Sequence, residues 1–417
     1  MFAGLFGSKK NKIKTILLVD VGSGSVAAGL ARLNSDGRPS LLFSERVEMP
    51  IGLTRSGGEL SEETLKAAAS VIETVKAKAA IWTQNAILSP LRIEHVAFFL
   101  AAPWCATSVK AVQFSRTKPF HMSQGLLERM LSEEAKSANG AEGSALVVER
   151  TAVSLRLNGY PVHELGDAEV TAVEVALATT IANATFCQKL TDMTKGIQGN
   201  PSSTFHSFIL PASHSLLTID PEITDTLIID AGAEVTEILL MKQGAPTARA
   251  TAPVGTNVLQ RTLQSHAQMG KAEGDSALAL AGSDGTRLSN DLKGPLSDAA
   301  KIWLTGVCDA LRALAQNGIP SSVHLFADER AIRWLVEALT ETGFLGLATT
   351  GKLFVRPLSA KDFTPIADIQ ESVPDLFLLA ELVYADGRFD EGHALTLLST
   401  QDNLLSKPRA TLVSTER

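Results

Sequence analysis

The sequence predicts an α/β fold made of two copies of one unit, with a small α+β module inserted into the first copy. Three observations carry that expectation. The run Ile16-Leu-Leu-Val-Asp-Val-Gly-Ser-Gly-Ser-Val26 is repeated in kind by Thr226-Leu-Ile-Ile-Asp-Ala-Gly-Ala-Glu-Val-Thr236, and the interval that carries Asp20 onto Asp230 also carries Gly22 onto Gly232. Continuous apolar runs of this length suit strands covered on both faces, and here they alternate with stretches of helical periodicity. Aromatic residues make up only 5% of a chain that is 45% hydrophobic, so the core must rest on Ala, Leu, Val and Ile, as in helices packed on a sheet.

Each hairpin continues past its glycine. Ser25–Leu33 and Val235–Met241 are second strand runs, closed by the turn-formers Asn34-Ser-Asp-Gly-Arg-Pro39 and Gln243-Gly-Ala-Pro246. Ser40–Glu48 is a third extended run, and a helix is expected from about Ser61, where Ala68, Ile72 and Val75 recur at helical spacing. Ile93–Leu100 and Ala111–Phe114 read as strands, Ser123 as the N-cap of a helix to Leu131, and Ala145–Asn158 as a strand closed by the Asn158-Gly159 turn signal. Val170–Thr180, a helix Asn183–Lys195 and a strand Phe205–Leu210 read as a crossover of the kind that joins parallel strands. Helices at Thr256–Gln264 and Ser297–Gln316, a strand Val323–Ala327, and helices Glu329–Thr342 and Val373–Ala385 complete the order.

The expected organisation is therefore a basic tail 1–14, a first domain 15–92 resumed at 166–202 around the module 93–165, and a second domain 203–265 resumed at 297–365 around a small subdomain 266–296. A helix within 366–396 returns to the first domain, and 397–417 is a polar tail.

A formal net charge of −7 argues against a general nucleic-acid binder, which needs a basic face to displace counterions. Cys105, Cys187 and Cys308 are odd in number and lack CxxC spacing, which speaks against a disulfide framework or zinc site and for the cytoplasm. No run reaches the roughly 18 continuous apolar residues of a membrane span. At the N-terminus Phe2, Leu5 and Phe6 share a helical face, with Lys9, Lys10, Lys12 and Lys14 following. That pattern suits a weak interfacial anchor, a solvated tail or a docking peptide for a protein partner.

Turns that lack side-chain bulk at Gly22, Gly24 and Gly232 leave backbone N–H groups open to phosphate oxygens, and Asp20 and Asp230 at the same end suit a hydrated Mg²⁺. Ordinary Asp-x-Gly turn chemistry explains one copy alone; two copies in matching contexts favour a shared ligand. His206 and His214, without a carboxylate or Cys at ligand spacing, read as packing or surface histidines.

Paired Asp-x-Gly hairpins, each opening a β-rich and then an α-rich half, resemble the actin-like ATPase superfamily, whose duplicated domains are ribonuclease H-like, over roughly residues 14–395. The module is placed like the SHS2-type insertion of that superfamily's FtsA and PilM branch, with the pilus-assembly side the nearer. On this resemblance Asp20, Gly22, Ser23, Gly24 and Ser25 match the first phosphate loop, and Asp230, Gly232, Ala233 and Thr236 the second. Together they imply ATP held by its β- and γ-phosphates, with Mg²⁺ near Asp20 and Asp230. Pro253-Val-Gly-Thr-Asn257 resembles the family's segment in which Gly255 lets the chain pass close to the nucleotide, with Thr256 in place of a second glycine.

Three departures erode the site. The strand Val323–Phe326 ends in Ala327-Asp328-Glu329-Arg330 where the family's purine loop has Gly-Gly; Glu234 stands where a small residue is usual; and between Ala272 and Leu292 only Glu273 approximates a nucleotide-facing side chain. No catalytic residue is assigned, since Glu237 is expected to alternate away along its strand. At most a weak ATPase is expected. The resemblance implies a cytoplasmic scaffold of a type IV pilus or related secretion machine, peripheral to the inner membrane, that binds the cytoplasmic tail of an inner-membrane assembly protein. The groove implied lies near Ile93–Phe114, where Trp104 and Phe114 either contribute or pack in the core. The alternatives are an FtsA-like division adaptor or self-associating filament protein, or a small-molecule kinase with Asp167 as its candidate acid.

Overall fold

The computed structural model describes residues 14–389 apart from 35–36, 53–55, 86–91, 138–144, 163–168, 284–289, 343, 345, 348–351 and 371–373. Phe2, Leu5, Phe6, Lys9, Lys10, Asp167 and the tail 397–417 lie outside the described residues. The chain opens with β1 (Lys14–Val21), β2 (Ser25–Leu33), β3 (Ser40–Glu48), α1 (Gly57–Asn85) and β4 (His95–Leu100). Next come β5 (Cys105–His121), α2 (Gln124–Ser137), β6 (Ala145–Leu157), β7 (Tyr160–Val162), β8 (Glu169–Asn183), α3 (Ala184–Met193), β9 (Ser202–Ser207) and α4 (Ile209–Ile219). The second half is β10 (Thr226–Ala231), β11 (Thr236–Lys242), β12 (Ala245–Ala252), α5 (Asn257–Ala267), α6 (Lys271–Ser283), α7 (Asn290–Arg312), β13 (Ser322–Ala327), α8 (Glu329–Thr342), β14 (Phe354–Pro357), β15 (Asp368–Ile369) and α9 (Leu376–Phe389).

The duplication is a property of the topology. One sheet has the order β15-β3-β2-β1-β4-β9 and the other β12-β11-β10-β13-β14. In both, the first strand pairs antiparallel with its hairpin partner and parallel with the strand on its other side. The apolar runs are continuous because both faces are covered. Leu17, Val19 and Val21 of β1 pack with Val71, Ile72 and Val75 of α1, while Ile16 and Leu18 share a second cluster with Leu378 and Leu382 of α9. Ile228 of β10 joins that second cluster, so it is a core shared by the two lobes. Helix α1 starts at Gly57, ahead of the expected Ser61, because Ser56 and Glu59 form a reciprocal capping box: Ser56 N donates to Glu59 Oε2 at 2.8 Å and Glu59 N to Ser56 Oγ at 3.2 Å.

Three boundaries differ from the sequence expectation. β4 pairs parallel with β1, so Ile93–Leu100 belongs to the first large sheet, and the module is the separate sheet β5-β8-β6-β7, running from Cys105 to Asn183 instead of 93–165. The expected crossover through 170–210 is not one, because β8 lies antiparallel between β5 and β6 while β9 pairs parallel with β4. The second domain accordingly begins near Thr226 and not at 203. All three errors have one cause: a buried strand carries no local mark of the sheet it joins. The Asn158-Gly159 turn is as expected, with positive φ at both residues (50° and 86°).

The module is pinned to the first domain through Glu149 of β6, which is wholly buried. Its Oε1 accepts from Tyr384 Oη at 2.6 Å and pairs with His206 Nδ1 at 2.8 Å, and its Oε2 accepts from Ser207 N at 3.1 Å. His206 is thus a packed core histidine. Cys105, Cys187 and Cys308 are free and buried. Among the described residues no helix is long and apolar enough to cross a membrane.

Candidate functional site

The two hairpin turns meet. A Cβ on Gly24 would lie 2.3 Å from the Ala233 Cβ, and one on Gly255 would lie 2.3 Å from the carbonyl oxygens of both Gly232 and Ala233, so neither position tolerates a side chain. The Ser23 hydroxyl accepts from Glu234 N at 3.0 Å, joining first turn to second. The carbonyls of Gly232 and Ala233 accept from Thr256 N and Asn257 N, each at 2.9 Å, at the start of α5. Gly22 N donates to Ser25 O at 3.1 Å, and Trp104 Nε1 donates to Gly22 O at 2.8 Å while its ring stacks on Phe186. Several donors and acceptors that a phosphate loop would offer a ligand are thus used within the chain.

A cleft of about 130 Å³ remains beside the turns. Of the residues named from sequence, it is lined by Asp20, Gly22, Ser23, Gly24, Ser25, Asp230, Gly232 and Ala233. Gly255 stands behind the second turn. Thr236 does not reach the cleft: its hydroxyl donates to Val254 O and accepts from Trp303 Nε1, both at 2.8 Å, because the strand alternation after the turn sends it into the second core. Glu273 is also displaced, accepting from Gly270 N at the start of α6, and Asp275 is the acid of that helix that lines the cleft. Glu237 is not among the residues lining the cleft; it is the cross-strand neighbour of Asp230, wholly buried and paired with Arg249.

The electrostatics rest on three arginines that sequence reasoning passed over. Arg46 Nη2 contacts Asp20 Oδ2 at 2.7 Å, and its Nε contacts Asp375 Oδ2 at 2.6 Å. Burial raises the Asp20 carboxyl to about 6 against the pull of Arg46. Asp230 is pushed well above the ordinary range by burial and by the nearby Glu237 and Asp20, which disfavours its charged form. Of the expected metal pair, one carboxylate is already matched by a guanidinium and the other sits where burial and neighbouring acids oppose its charge. Among the described residues no three acidic, His or Cys side chains form a metal cage.

Arg261 Nη2 bonds both oxygens of Glu234, at 2.7 and 2.8 Å, and its Nε donates to Gly52 O of the first lobe at 3.1 Å. Arg330 pairs with Asp328 and, across the cleft, with Glu48 at 2.7 Å; it also reaches Asp275 at 3.3 Å. Burial opposes the charge of Asp328, but Arg330 outweighs it and holds the carboxyl below its usual value. Glu234 and Asp328 are thus each paired with a cation of the chain, and both of these cations tie lobe to lobe.

No protein-family model and no curated protein matches the sequence. Among solved structures, a chain of a PilM–PilN type IV pilus biogenesis complex matches over 92% of this chain and 97% of its own, at 14% identity and a TM-score of 0.55. The chain shares the actin-like fold of that chain. More distant matches are the ethanolamine utilization protein EutJ from Carboxydothermus hydrogenoformans (13% identity, 89% of each chain, TM-score 0.42) and a Bacteroides thetaiotaomicron protein with actin-like ATPase fold (10% identity, 91% and 99%, TM-score 0.38). Proteins of the actin-like fold generally bind ATP and Mg²⁺. The residues of this cleft do not fit that pair. Ser23 and Glu234 close the gap between the turns, Arg46 engages Asp20, burial and neighbouring acids oppose the charge of Asp230, and a 130 Å³ space falls short of the roughly 300 Å³ at which small-molecule pockets begin.

Proposed function

We propose that this chain is a scaffold of a type IV pilus or related secretion machine, on the cytoplasmic side of the inner membrane, that binds the cytoplasmic tail of an inner-membrane assembly protein. The observation that carries this reading is the end-to-end likeness in fold to a chain solved within a PilM–PilN complex. The cleft supports a scaffold over an ATPase, since its arginines are already engaged by acids of the chain and not free for a phosphate. The tail's site is the groove between the first large sheet and the module. Trp104 is bonded to Gly22 and Phe114 packs on the module core, both half-buried near the edge of that groove.

Two measurements test the reading. Full-length protein is expected to capture synthetic peptides of the cytoplasmic tails of inner-membrane proteins encoded beside it with micromolar affinity; failure with every such tail overturns the scaffold assignment. Calorimetric titration with MgATP is expected to show no binding tighter than millimolar, and a phosphate-release assay no turnover. Micromolar binding with brisk hydrolysis would return the chain to the ATPases.

A further inference from the structure

Four oxygens from three segments of the chain converge on one guanidinium. Arg46, on β3, donates through Nη2 to Asp20 Oδ2 at 2.7 Å and Asp375 Oδ1 at 2.9 Å, through Nε to Asp375 Oδ2 at 2.6 Å, and through Nη1 to Ser25 Oγ at 2.6 Å. Asp375 is itself fixed, accepting from Phe377 N and Leu378 N at the start of α9. Further along α9, Glu381 is wholly buried beside Asp20, and burial together with the charges of Asp20 and Asp375 raises its pKa well above the ordinary value.

Two carboxylates and a hydroxyl around one positive charge form the donor set of a hard divalent cation, since Mg²⁺ commonly takes one or two carboxylates and completes its shell with water. We propose that Arg46 is the built-in cation of the cleft, standing where a divalent metal would otherwise sit beside Asp20 and holding Asp20, Ser25 and Asp375 together at any metal or nucleotide concentration. An ordinary surface salt bridge would join two side chains. Here one side chain uses three nitrogens on three partners, with the buried Glu381 alongside.

A sharp consequence is that removing the guanidinium uncovers a metal site. Arg46→Ala leaves the buried Asp20 and the half-buried Asp375 without a counter-charge and opens space for an ion. The variant is expected to melt well below the parent in EDTA and to regain about 5 °C or more in millimolar Mn²⁺ or Mg²⁺, because an ion bound only to the folded state stabilises it by mass action. The parent chain should melt within about 1 °C of the same temperature in both buffers, the limit for an ion with no folded-state site. Calorimetry should find one Mn²⁺ bound to Arg46→Ala, none to the parent, and none once Asp20→Asn is added.

Equal melting of Arg46→Ala in EDTA and Mn²⁺ overturns the proposal, and so does a parent chain stabilised by Mn²⁺ as strongly as the variant. If Arg46→Ala fails to fold in either buffer, Arg46→Met, which keeps the methylene bulk, carries the same comparison, and its indifference to Mn²⁺ is equally fatal. The inference rests on the cleft's not taking MgATP, and the two fail separately. MgATP binding to the parent chain removes that reading, whereas Mn²⁺-blind variants remove only the role of Arg46.

Discussion

Replacing Glu149 with alanine is expected to destabilise the chain by about 3–5 kcal/mol, the usual cost of stranding buried partners of a charge. The variant leaves Tyr384 Oη, Ser207 N and the buried Arg388 without the acceptor that now joins β6 to β9 and α9. A urea unfolding midpoint measures the loss, and Glu149→Gln, which keeps the shape and part of the hydrogen bonding, should cost less. The pH profile follows from the same residues. Burial opposes the charge of Glu149, but His206, Arg388 and Tyr384 outweigh it and hold the carboxyl at about 2, so its contribution is present above its unfolded pKa of about 4.5 and is lost as pH falls toward 2. Burial lowers His206 below its ordinary value despite Glu149, so that residue's contribution is present above about pH 6.5 and fades as pH falls through its folded pKa. Acid should therefore unfold the parent in a broad descent beginning near pH 6, and the Glu149 variants should lack its lower part. An unchanged midpoint for Glu149→Ala would mean that the module docks by other contacts.

Gly255→Ala is the second large effect. The added methyl would stand 2.3 Å from two backbone oxygens, which no side-chain rotation can relieve. Room comes only by displacing the second turn, with loss of the Thr256 and Asn257 hydrogen bonds and of the contact between Gly24 and Ala233. Overpacking of this kind typically costs about 1–3 kcal/mol, and rigid backbone on both contacts places this site at the upper end. Gly125→Ala is the control: nothing lies within 4 Å of its would-be methyl, so the helix should hold or gain stability. Thermal melting separates the two, and equal melting temperatures would show the second turn to be more pliable than its contacts indicate.

Much of the architecture was legible because its signals are local. Asp20-x-Gly22 and Asp230-x-Gly232 each state a strand end and a turn within a few residues, and their common spacing states the duplication. Helix α8 begins and ends where its periodicity places it, at Glu329 and Thr342. Sheet membership was not legible, since β4 and β9 are buried strands whose partners lie far along the chain. The site divides the same way. The glycines announced the turns, but the arginines that neutralise them could not be read off: Arg46 meets Asp375 across 329 residues. One hint was available. Ser40–Glu48 carries Glu45, Arg46 and Glu48 in a strand otherwise apolar at its start, and a charged strand end beside an Asp-bearing hairpin is a place to look for a buried pair.

The contact between the turns bears on how such a part would behave in a working machine. Where two halves of a protein grip a nucleotide, their angle changes as that nucleotide is loaded, split and released. Here each turn is the other's occupant, through Ser23, Gly24, Ala233 and Glu234, and Arg330 spans to Glu48. On the proposed scaffold role, the angle between the lobes would be set when the chain folds. Such a component would pass force or position between neighbours as a fixed strut, and the timing of the machine would come from another subunit.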